Sequence, residues 1–341
     1  MRGRAAFKTE REWLVPSIAL TVLLGGSALL VMPDYSGVGG ALSLLPMWLA
    51  AAVTLAGIYA LPALWKMMRS GVTSPTAHIL ALARQNWRSI LLVCAGMVIA
   101  GLNMITFMYS KPLLNYLVPF WSDPLLADVD YYLFLGNDPY RLLGWLNSVP
   151  MALFYHRAWF ALMVVTLLMV LTRRASVERS SILVSYFVLW SVAGPVIHLL
   201  LPAAGPVFFQ NLGYGDRFAT LAVPEEMTQM SDFLWTVYSG SQFAPGSGIS
   251  AMPSMHIATT AWMAIAVHVL ARRWSPAMAA VGLLIFLLSI SLGWHYAVDG
   301  IVGAAAAVAC YLAAKRIYTA GSRARQASAQ ALPELGGVQA A

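Results

Sequence analysis

Charged residues are scarce in this 341-residue chain: Asp, Glu, Lys and Arg make up only 10% of it, while 60% is hydrophobic. Because soluble domains carry roughly 25% charged residues, this scarcity excludes a soluble globular protein. Cysteine is also rare, with Cys94 and Cys310 standing far apart in apolar runs. This spacing predicts no disulfide framework and no cysteine metal site, and both thiols are expected to be small buried groups.

Long apolar runs are what the chain has in abundance. Each run has roughly 18 to 24 residues, enough to cross a hydrocarbon core of about 30 Å. Lipid cannot satisfy backbone donors and acceptors, and the runs lack the alternation of barrel strands, so each is predicted to be a helix. The fold class is therefore an all-α, polytopic transmembrane helix bundle. We predict eight spans: Trp13 to Met32, Ala41 to Trp65, Ser89 to Tyr109, Met151 to Thr172, Ser181 to Leu201, Ser254 to Ala271, Pro276 to Gly293 and Tyr296 to Ala314.

Basic residues are distributed unevenly about these spans. Of the 21 Lys and Arg, only Lys111, Arg141, Arg157 and Arg217 fall on one side of an eight-span arrangement. Lys and Arg concentrate on the cytoplasmic side, so both termini are predicted to be cytoplasmic, in the inner (plasma) membrane if the source is bacterial. The net charge of +7 comes from short groups of basic residues between spans. Their distribution predicts the bilayer, and no nucleic acid, as a partner.

Composition divides the chain into three parts. Residues 1–109 hold an N-terminal cytoplasmic segment and three spans, of which the first two are expected to be additional to the core in residues 110–318. Residues 319–341, rich in Ala, Ser, Gln and Arg, are predicted to form a disordered cytoplasmic tail. Within the core, residues 110–150 mix aromatic and acidic residues, which favours short interfacial helices. Residues 202–253 are rich in Gly and Pro, which indicates an outward-facing lid.

Ionisable residues at span ends are the candidates for chemistry, because charges at membrane depth are costly. His295 and Asp299 are four residues apart, so on a helix they would share a face. A carboxylate in that position can accept a proton from one imidazole nitrogen and fix the tautomer. The other nitrogen then presents the lone pair that a nucleophilic histidine needs.

His256 stands at the start of another predicted span, directly after Pro253 and Ser254. From His256 the chain descends about 16 residues and ascends about 19, or roughly 24 Å and 28 Å at 1.5 Å per residue. Both imidazoles are therefore predicted to return to the same membrane level. The helix N-terminus at Ser254 adds backbone donors and a partial positive charge, which favour a phosphate group.

These residues resemble the motifs of the type 2 phosphatidic acid phosphatase superfamily. Pro253-Ser254-Met255-His256 is similar to its PSGH motif, and His295-x-x-x-Asp299 is similar to the end of its SRxxxxxHxxxD motif. The residues in and around these motifs more closely resemble those of the branch that contains inositol phosphorylceramide synthases and their bacterial relatives. Pro202-Ala203-Ala204-Gly205-Pro206 looks like the loop element that precedes these motifs. The resemblance extends from Ser110 to Leu312.

The resemblance implies an enzyme in which His295 attacks phosphorus to form a phosphohistidine. Asp299 would support His295, and His256 would protonate the leaving oxygen. No metal or other cofactor is implied. A metal site is the chemical alternative, but two His and one Asp, with only His156 as a further outward His, argue against it.

Several positions depart from the family motifs. Met255 replaces the glycine before the first histidine, and Leu288-Ser289 replaces the Ser-Arg pair, so the usual phosphate-binding arginine is missing. The KxxxxxxRP motif has no recognisable counterpart, so other cations must take its place, with Arg217 as the first choice. The predicted substrate-binding residues are Arg217, Ser254, Arg157 and Lys111.

The predicted reaction takes a phospho-head-group from a lipid phosphoester and passes it to an alcohol such as inositol or a sphingoid lipid. The site is expected on the periplasmic or luminal face. The aromatic-rich segment 202–253 favours transfer, because a transferase must exclude water from the phosphoenzyme. Two alternatives remain: a lipid phosphate or diphosphate phosphatase of the same superfamily, and a proton-coupled transporter with a buried His-Asp relay. The polar groups lie at one membrane edge, which argues against transport.

Overall fold

The computed structural model describes residues 2–31, 37–244 and 246–335, and these residues form helices joined by turns and loops, without strands. The helices are α1 (Arg2–Val31), α2 (Val38–Leu42), α3 (Leu45–Arg69), α4 (Pro75–Gln85), α5 (Trp87–Leu117), α6 (Asp123–Leu133), α7 (Pro139–Leu143), α8 (Val149–Leu153), α9 (Trp159–Leu171), α10 (Val177–Val188), α11 (Gly194–Leu200), α12 (Glu225–Ser239), α13 (Met255–Leu270), α14 (Ser275–Ser291) and α15 (Ala297–Leu335). Two π-helical turns, Phe154–Ala158 and Leu189–Ala193, join α8 to α9 and α10 to α11.

Eight apolar helical segments correspond to the eight predicted spans. Seven are long and apolar enough to cross a membrane: Glu10–Val31, Val38–Arg69, Trp87–Leu117, Val149–Leu171, Val177–Leu200, Arg272–Ser291 and Ala297–Ala327. The eighth, Met255–Leu270, is apolar but shorter. The all-α bundle of about eight spans is therefore confirmed, and its composition indicates a multi-pass membrane protein.

Two segments are more helical than predicted. Helix α5 continues to Leu117, so Lys111 lies within the helix and not in the loop that follows it. Helix α15 continues to Leu335, so residues 319–335 are helical where we predicted a disordered tail. Ala, Arg and Gln are strong helix formers, and an existing helix is extended at little cost. Residues 336–341 of the predicted tail lie outside the described residues.

The two cysteines are less buried than expected. Cys94 is exposed, and Cys310 is only partly buried. The apolar runs around them predicted membrane spans correctly, but a span presents part of its surface to lipid. The hydrophobicity of a run therefore did not indicate which of its faces is packed against protein.

A buried ion pair fixes the first span to the rest of the bundle. Arg179 on α10 donates through Nη1 to both carboxylate oxygens of Glu10, at 2.6 and 2.8 Å. Its other nitrogens donate to the carbonyls of Val170 and Leu171. The fully buried Trp13 also donates to Glu10. Since a buried pair is tolerated when its remaining groups are hydrogen-bonded, α1 packs as an integral part of the bundle.

The last three helices bring the candidate catalytic residues together. Helix α13 and the return along α14 lead to the start of α15, where the Ser254 N–H donates to the Asp299 carbonyl at 3.1 Å. A Cβ at Gly303 would lie only 2.6 Å from the Ser254 carbonyl oxygen, so this glycine allows the close approach of α15 to α13. The ring centroids of His256 and His295 lie 6.3 Å apart.

The two long connections fold against the ends of these helices. The first contains α6 and α7, so the predicted short helices are present. The second contains α12 and a 3₁₀ turn at Pro206–Phe208. Its Phe208 and Trp235 pack with Phe120 and with Trp294, the residue before His295. The second connection therefore covers the loop that carries His295.

Candidate active site

His295 lies in the turn between α14 and α15 and is only 5% exposed. Its Nδ1 is 2.8 Å from the carbonyl oxygen of Ala251. Because a carbonyl only accepts, this contact assigns the proton to Nδ1 and leaves the lone pair on Nε2. Burial lowers the pKa of His295 to about 3; the Ala251 hydrogen bond opposes this shift, and the positive charge of Lys111 adds to it. His295 is therefore neutral near pH 7, in the tautomer that a nucleophile requires.

Asp299 does not make the short hydrogen bond to His295 that their spacing predicts. Its Oδ2 lies 3.7 Å from Nδ1 of His295 and accepts the backbone N–H of Tyr296 at 2.8 Å. The reason is local: α15 begins at Ala297, so His295 precedes the helix and is not one turn below Asp299. The fully buried carboxylate can stabilise positive charge on His295, while the Ala251 carbonyl supplies the orienting contact.

His256 lies in the first turn of α13 among aromatic rings. Its ring stacks on Tyr155, with centroids 4.6 Å apart and an interplanar angle of 19°, and lies 4.2 Å from the ring of Trp159. Trp159 also donates its Nε1–H to the His256 carbonyl at 3.1 Å. With His295 at 6.3 Å, the two imidazoles are close enough for one phosphoester to contact both.

The π-helical turn before α9 adds a third histidine to this cluster. Tyr155 and His156 both come from this turn, and single π-helical turns are frequent at functional sites. The ring of His156 lies 5.7 Å from that of His256 and 6.1 Å from that of Trp294. The sequence had indicated His156 only as a possible polar contact at the outer end of the fourth span or as a possible metal ligand. Among the residues that the structure describes, no group of three or more His, Cys, Asp or Glu side chains is arranged to hold a metal ion.

Of the three predicted cations, Lys111 is the one that the structure brings to the histidines. Its charge acts on His295. Gly248 packs directly on it, since a Cβ at that position would lie 2.7 Å from Lys111 Cγ. Within the described part of the chain, Lys111 makes no hydrogen bond and no ion pair. Its charge is therefore available to a substrate phosphate.

Arg217, our first choice as a phosphate ligand, has a structural role instead. Its Nη1 lies 2.6 Å from Asp128 and its Nη2 lies 2.8 Å from Asp138. Nη2 also donates to the carbonyl of Ala127 at 2.9 Å. Two carboxylates neutralise the guanidinium and take most of its donors. Arg217 therefore connects the loop that follows α11 to α6 and to the residue before α7. Its nearest acidic neighbour in sequence, Asp216, did not indicate these partners.

The other two predicted substrate ligands, Arg157 and Ser254, are placed differently from Lys111. Arg157 is exposed on the π-helical turn that carries Tyr155. Ser254 is fully buried and caps α13, with its Oγ accepting the N–H of Ile257 at 3.4 Å. Because its backbone N–H donates to the Asp299 carbonyl and its Oγ accepts from Ile257, Ser254 stabilises the start of the helix.

A buried carboxylate on α6 organises the loop on one side of His295. Asp123 accepts the backbone N–H groups of Ala204 and Gly205, the shortest at 2.8 Å, and the hydroxyl of Tyr296 at 3.0 Å. Gly205 has a φ of 105°, and a Cβ there would lie 2.5 Å from the Trp294 carbonyl oxygen. Asp123 and Gly205 together hold the segment Pro202 to Pro206 against the turn that carries His295.

A second buried carboxylate, Asp130, caps the helix that carries Asp299. It accepts the N–H of Ala297 at 2.6 Å and that of Val298 at 3.0 Å. These donors open α15 and have no intrahelical acceptor. Asp123 and Asp130 both lie in the segment 110–150, for which the sequence predicted only short interfacial helices. The two residues are seven positions apart on a short helix, so both lie on one face of it. This spacing could have predicted that both carboxylates face the same part of the protein.

We expect the activity to depend on the charge of Asp130. Burial raises the pKa of Asp130 to about 6, so kcat/KM should fall as the pH falls through about 6 and the capping carboxylate becomes neutral. Because the folded pKa lies above the unfolded value, acidification does not destabilise the fold through this group. Asp130→Asn should lower activity by about tenfold and flatten this acidic limb. The control is Asp216→Asn, at an exposed position, and an unchanged pH profile in Asp130→Asn would contradict the assignment.

Apolar helices enclose a neutral histidine, a second histidine, a buried carboxylate and a lysine without an ion-pair partner among the described residues. This arrangement indicates a multi-pass membrane protein with a candidate histidine-based site. Residues 135–313 match the PAP2 superfamily, and the match includes both histidines and Asp299. The match covers slightly more than half of the chain, which therefore belongs to this superfamily, whose members are phosphatases or phosphotransferases. The first three spans and Lys111 precede the matched region. Comparisons with curated proteins and with solved structures give no significant match.

Proposed function

We propose that the protein transfers a phospho-head-group from a lipid phosphoester to an alcohol, through a phosphohistidine on His295. The observation that carries this proposal is the state of His295. Its Nδ1–H is held by the Ala251 carbonyl, and its free Nε2 lies in a site shared with His256. A lipid is the expected substrate because these groups lie among membrane-spanning helices.

In the first step, Nε2 of His295 attacks phosphorus as the bond between phosphorus and the lipid oxygen breaks. His256, protonated in the substrate complex, gives its proton to the leaving oxygen. Lys111 and the N-terminus of α13 stabilise the charge on the other phosphoryl oxygens. The carboxylate of Asp299, 3.7 Å from Nδ1, stabilises the positive charge that develops on His295.

In the second step, an acceptor oxygen attacks the same phosphorus as the N–P bond breaks. His256, neutral after the first step, takes the proton from the acceptor. Water as acceptor makes the protein a phosphatase, and an alcohol makes it a transferase. The shielding of His295 supports the alcohol, since it is 5% exposed and the connection that carries α12 packs over its loop.

The residues of the two histidine motifs support an activity similar to that of inositol phosphorylceramide synthases, with lipid phosphatase activity as the alternative. The test uses purified protein with labelled phosphatidylinositol, with and without inositol or ceramide. We expect more phosphodiester than free phosphate when an acceptor is present. His295→Gln provides the inactive control. Release of phosphate alone with every acceptor would make the phosphatase the better answer, and no turnover of any lipid would favour transport.

We also propose that the site faces the periplasm or lumen, because most Lys and Arg lie at the other ends of the helices. Ser239 on α12 and Thr73 between α3 and α4 are both exposed. In a Cys94→Ala, Cys310→Ala background, an impermeant thiol reagent should label Ser239→Cys, but not Thr73→Cys, in intact cells. Labelling of both would contradict this orientation.

A further inference from the structure

Within the part of the chain that the structure describes, four buried polar atoms beside His256 and His295 have no hydrogen-bond partner. They are Tyr155 Oη, His156 Nε2, Trp294 Nε1 and Asp299 Oδ1. They belong to one cluster: the rings of Tyr155 and His156 flank His256, His156 contacts Trp294, and Asp299 interacts electrostatically with Tyr155. Native interiors leave few such atoms unpaired, and each one is costly. Their concentration around the reacting groups indicates a ligand.

The chemistry of these atoms restricts that ligand. Trp294 Nε1 only donates and the Asp299 carboxylate only accepts, while Tyr155 and His156 can do either. The dianion of a phosphomonoester and the anion of a phosphodiester have no donor for an ionised Asp299, and an ammonium group has no acceptor for Trp294. Hydroxyl groups both donate and accept. The rings of Tyr155 and Trp294 are also neutral and aromatic, which suits the C–H faces of an uncharged ring or chain.

We propose that these four atoms form the acceptor subsite of the transferase and that the acceptor is a neutral polyol. This inference rests on the proposed function and deepens it. A single hydroxyl can pair with only part of the cluster, whereas adjacent hydroxyls of a polyol can serve Trp294, Tyr155 and Asp299 together. The subsite therefore selects a polyol over a sphingoid alcohol with an apolar chain.

The position of the cluster suits the second chemical step. A polyol bound between the π-helical turn and the Trp294 loop has a hydroxyl beside His256 and His295. That oxygen attacks phosphorus as the N–P bond to His295 breaks, and its proton passes to His256. The product is a phosphodiester, and His295 returns to its neutral form. Asp299, whose Oδ2 faces His295, uses its other oxygen to hold the acceptor.

The test separates acceptor binding from phosphoenzyme formation. Tyr155→Phe removes one hydroxyl and keeps the ring, and Trp294→Phe replaces the indole with a smaller aromatic ring that has no N–H. Their matched controls are Tyr132→Phe and Trp145→Phe, at positions 77% and 78% exposed. With a labelled phosphatidyl donor, we expect the site variants to raise the KM for glycerol and myo-inositol by about tenfold. Phosphoenzyme formation without acceptor should stay within about twofold of the wild type, and ethanol should be a poor acceptor throughout.

Two outcomes would overturn the subsite. An unchanged KM for polyols is one, and an equal loss of phosphoenzyme formation, which would assign these atoms to the donor phosphate, is the other. Failure of transfer altogether would refute the proposed function separately. In that case, calorimetric titration of His295→Gln with myo-inositol decides the inference: binding that Tyr155→Phe abolishes supports it, and no binding at millimolar concentration rejects it.

Discussion

Replacement of His295 by glutamine is expected to abolish turnover, with a loss of about 10⁴-fold or more. Glutamine places an amide, which has no nucleophilic nitrogen lone pair, near the position of Nε2. The measurement is the rate of release of the lipid alcohol from a labelled donor. His78→Gln, an exposed position in α4, is the matched control. EDTA should leave the wild-type rate unchanged, because Lys111 and a helix N-terminus supply the positive charge in the proposed mechanism.

Replacement of His256 by alanine should affect the two chemical steps differently. In His256→Ala, a lipid alkoxide leaves without a proton donor, so turnover of the natural ester should fall steeply. A donor with a good leaving group, such as a nitrophenyl ester, bypasses this need and should restore the first step. The second step still lacks its base, so a phosphoenzyme should accumulate, with the acid lability of an N–P bond. Failure of phosphoenzyme to accumulate with that donor would contradict the assigned role of His256.

The second large effect is expected at Lys111. Lys111→Met removes the unpaired cation at the site and should lower kcat/KM by about 10²–10³-fold, since a group that stabilises transition-state charge has an effect of this size. Lys66→Met, at the end of α3 far along the chain from the histidines, is the control. Equal activities of Lys111→Met and wild type would show that another group neutralises the phosphoryl oxygens.

The glycine that packs on Lys111 allows an independent check of its position. A Cβ at Gly248 would approach Lys111 Cγ to 2.7 Å, so Gly248→Ala must displace the lysine stem. We expect this variant to lower kcat/KM by about tenfold, in the same direction as the loss of the charge. Gly144→Ala, where a Cβ meets nothing within 4 Å, should have no effect.

The spans could be predicted because they depend on a local property. A run of apolar residues long enough for the bilayer must be helical, whatever it packs against. The end of α5 could not be predicted in this way. Lys111 interrupts the apolar run, and the local sequence does not show whether the helix ends there or continues past the charge. The helical tail was missed for a related reason, because composition typical of disorder also has high helix propensity.

The site residues also divide into those that local sequence could indicate and those that depend on long-range contacts. His256, His295 and Asp299 were identified from motif letters and from the lengths of two helices, which are properties of the chain alone. The i, i+4 argument for Asp299 failed in detail because it assumed that His295 is helical. Arg217 was the first choice among the cations from the sequence alone, while Asp128 and Asp138, with which it forms ion pairs, come from a distant segment.

The amino-acid sequence by itself determined the number and length of the spans and the histidines that meet at one level, because hydrophobic length and helical rise are local. Only the tertiary structure decided which cation stays free, which acceptor sets the tautomer of His295, and which carboxylates hold its loop. Those contacts join α6, the loop before α13 and the start of α15, segments separated by more than 100 residues in places, such as Asp130 and Ala297. Hydrogen bonds depend on positions within tenths of an ångström, and such positions follow from the packing of the whole bundle.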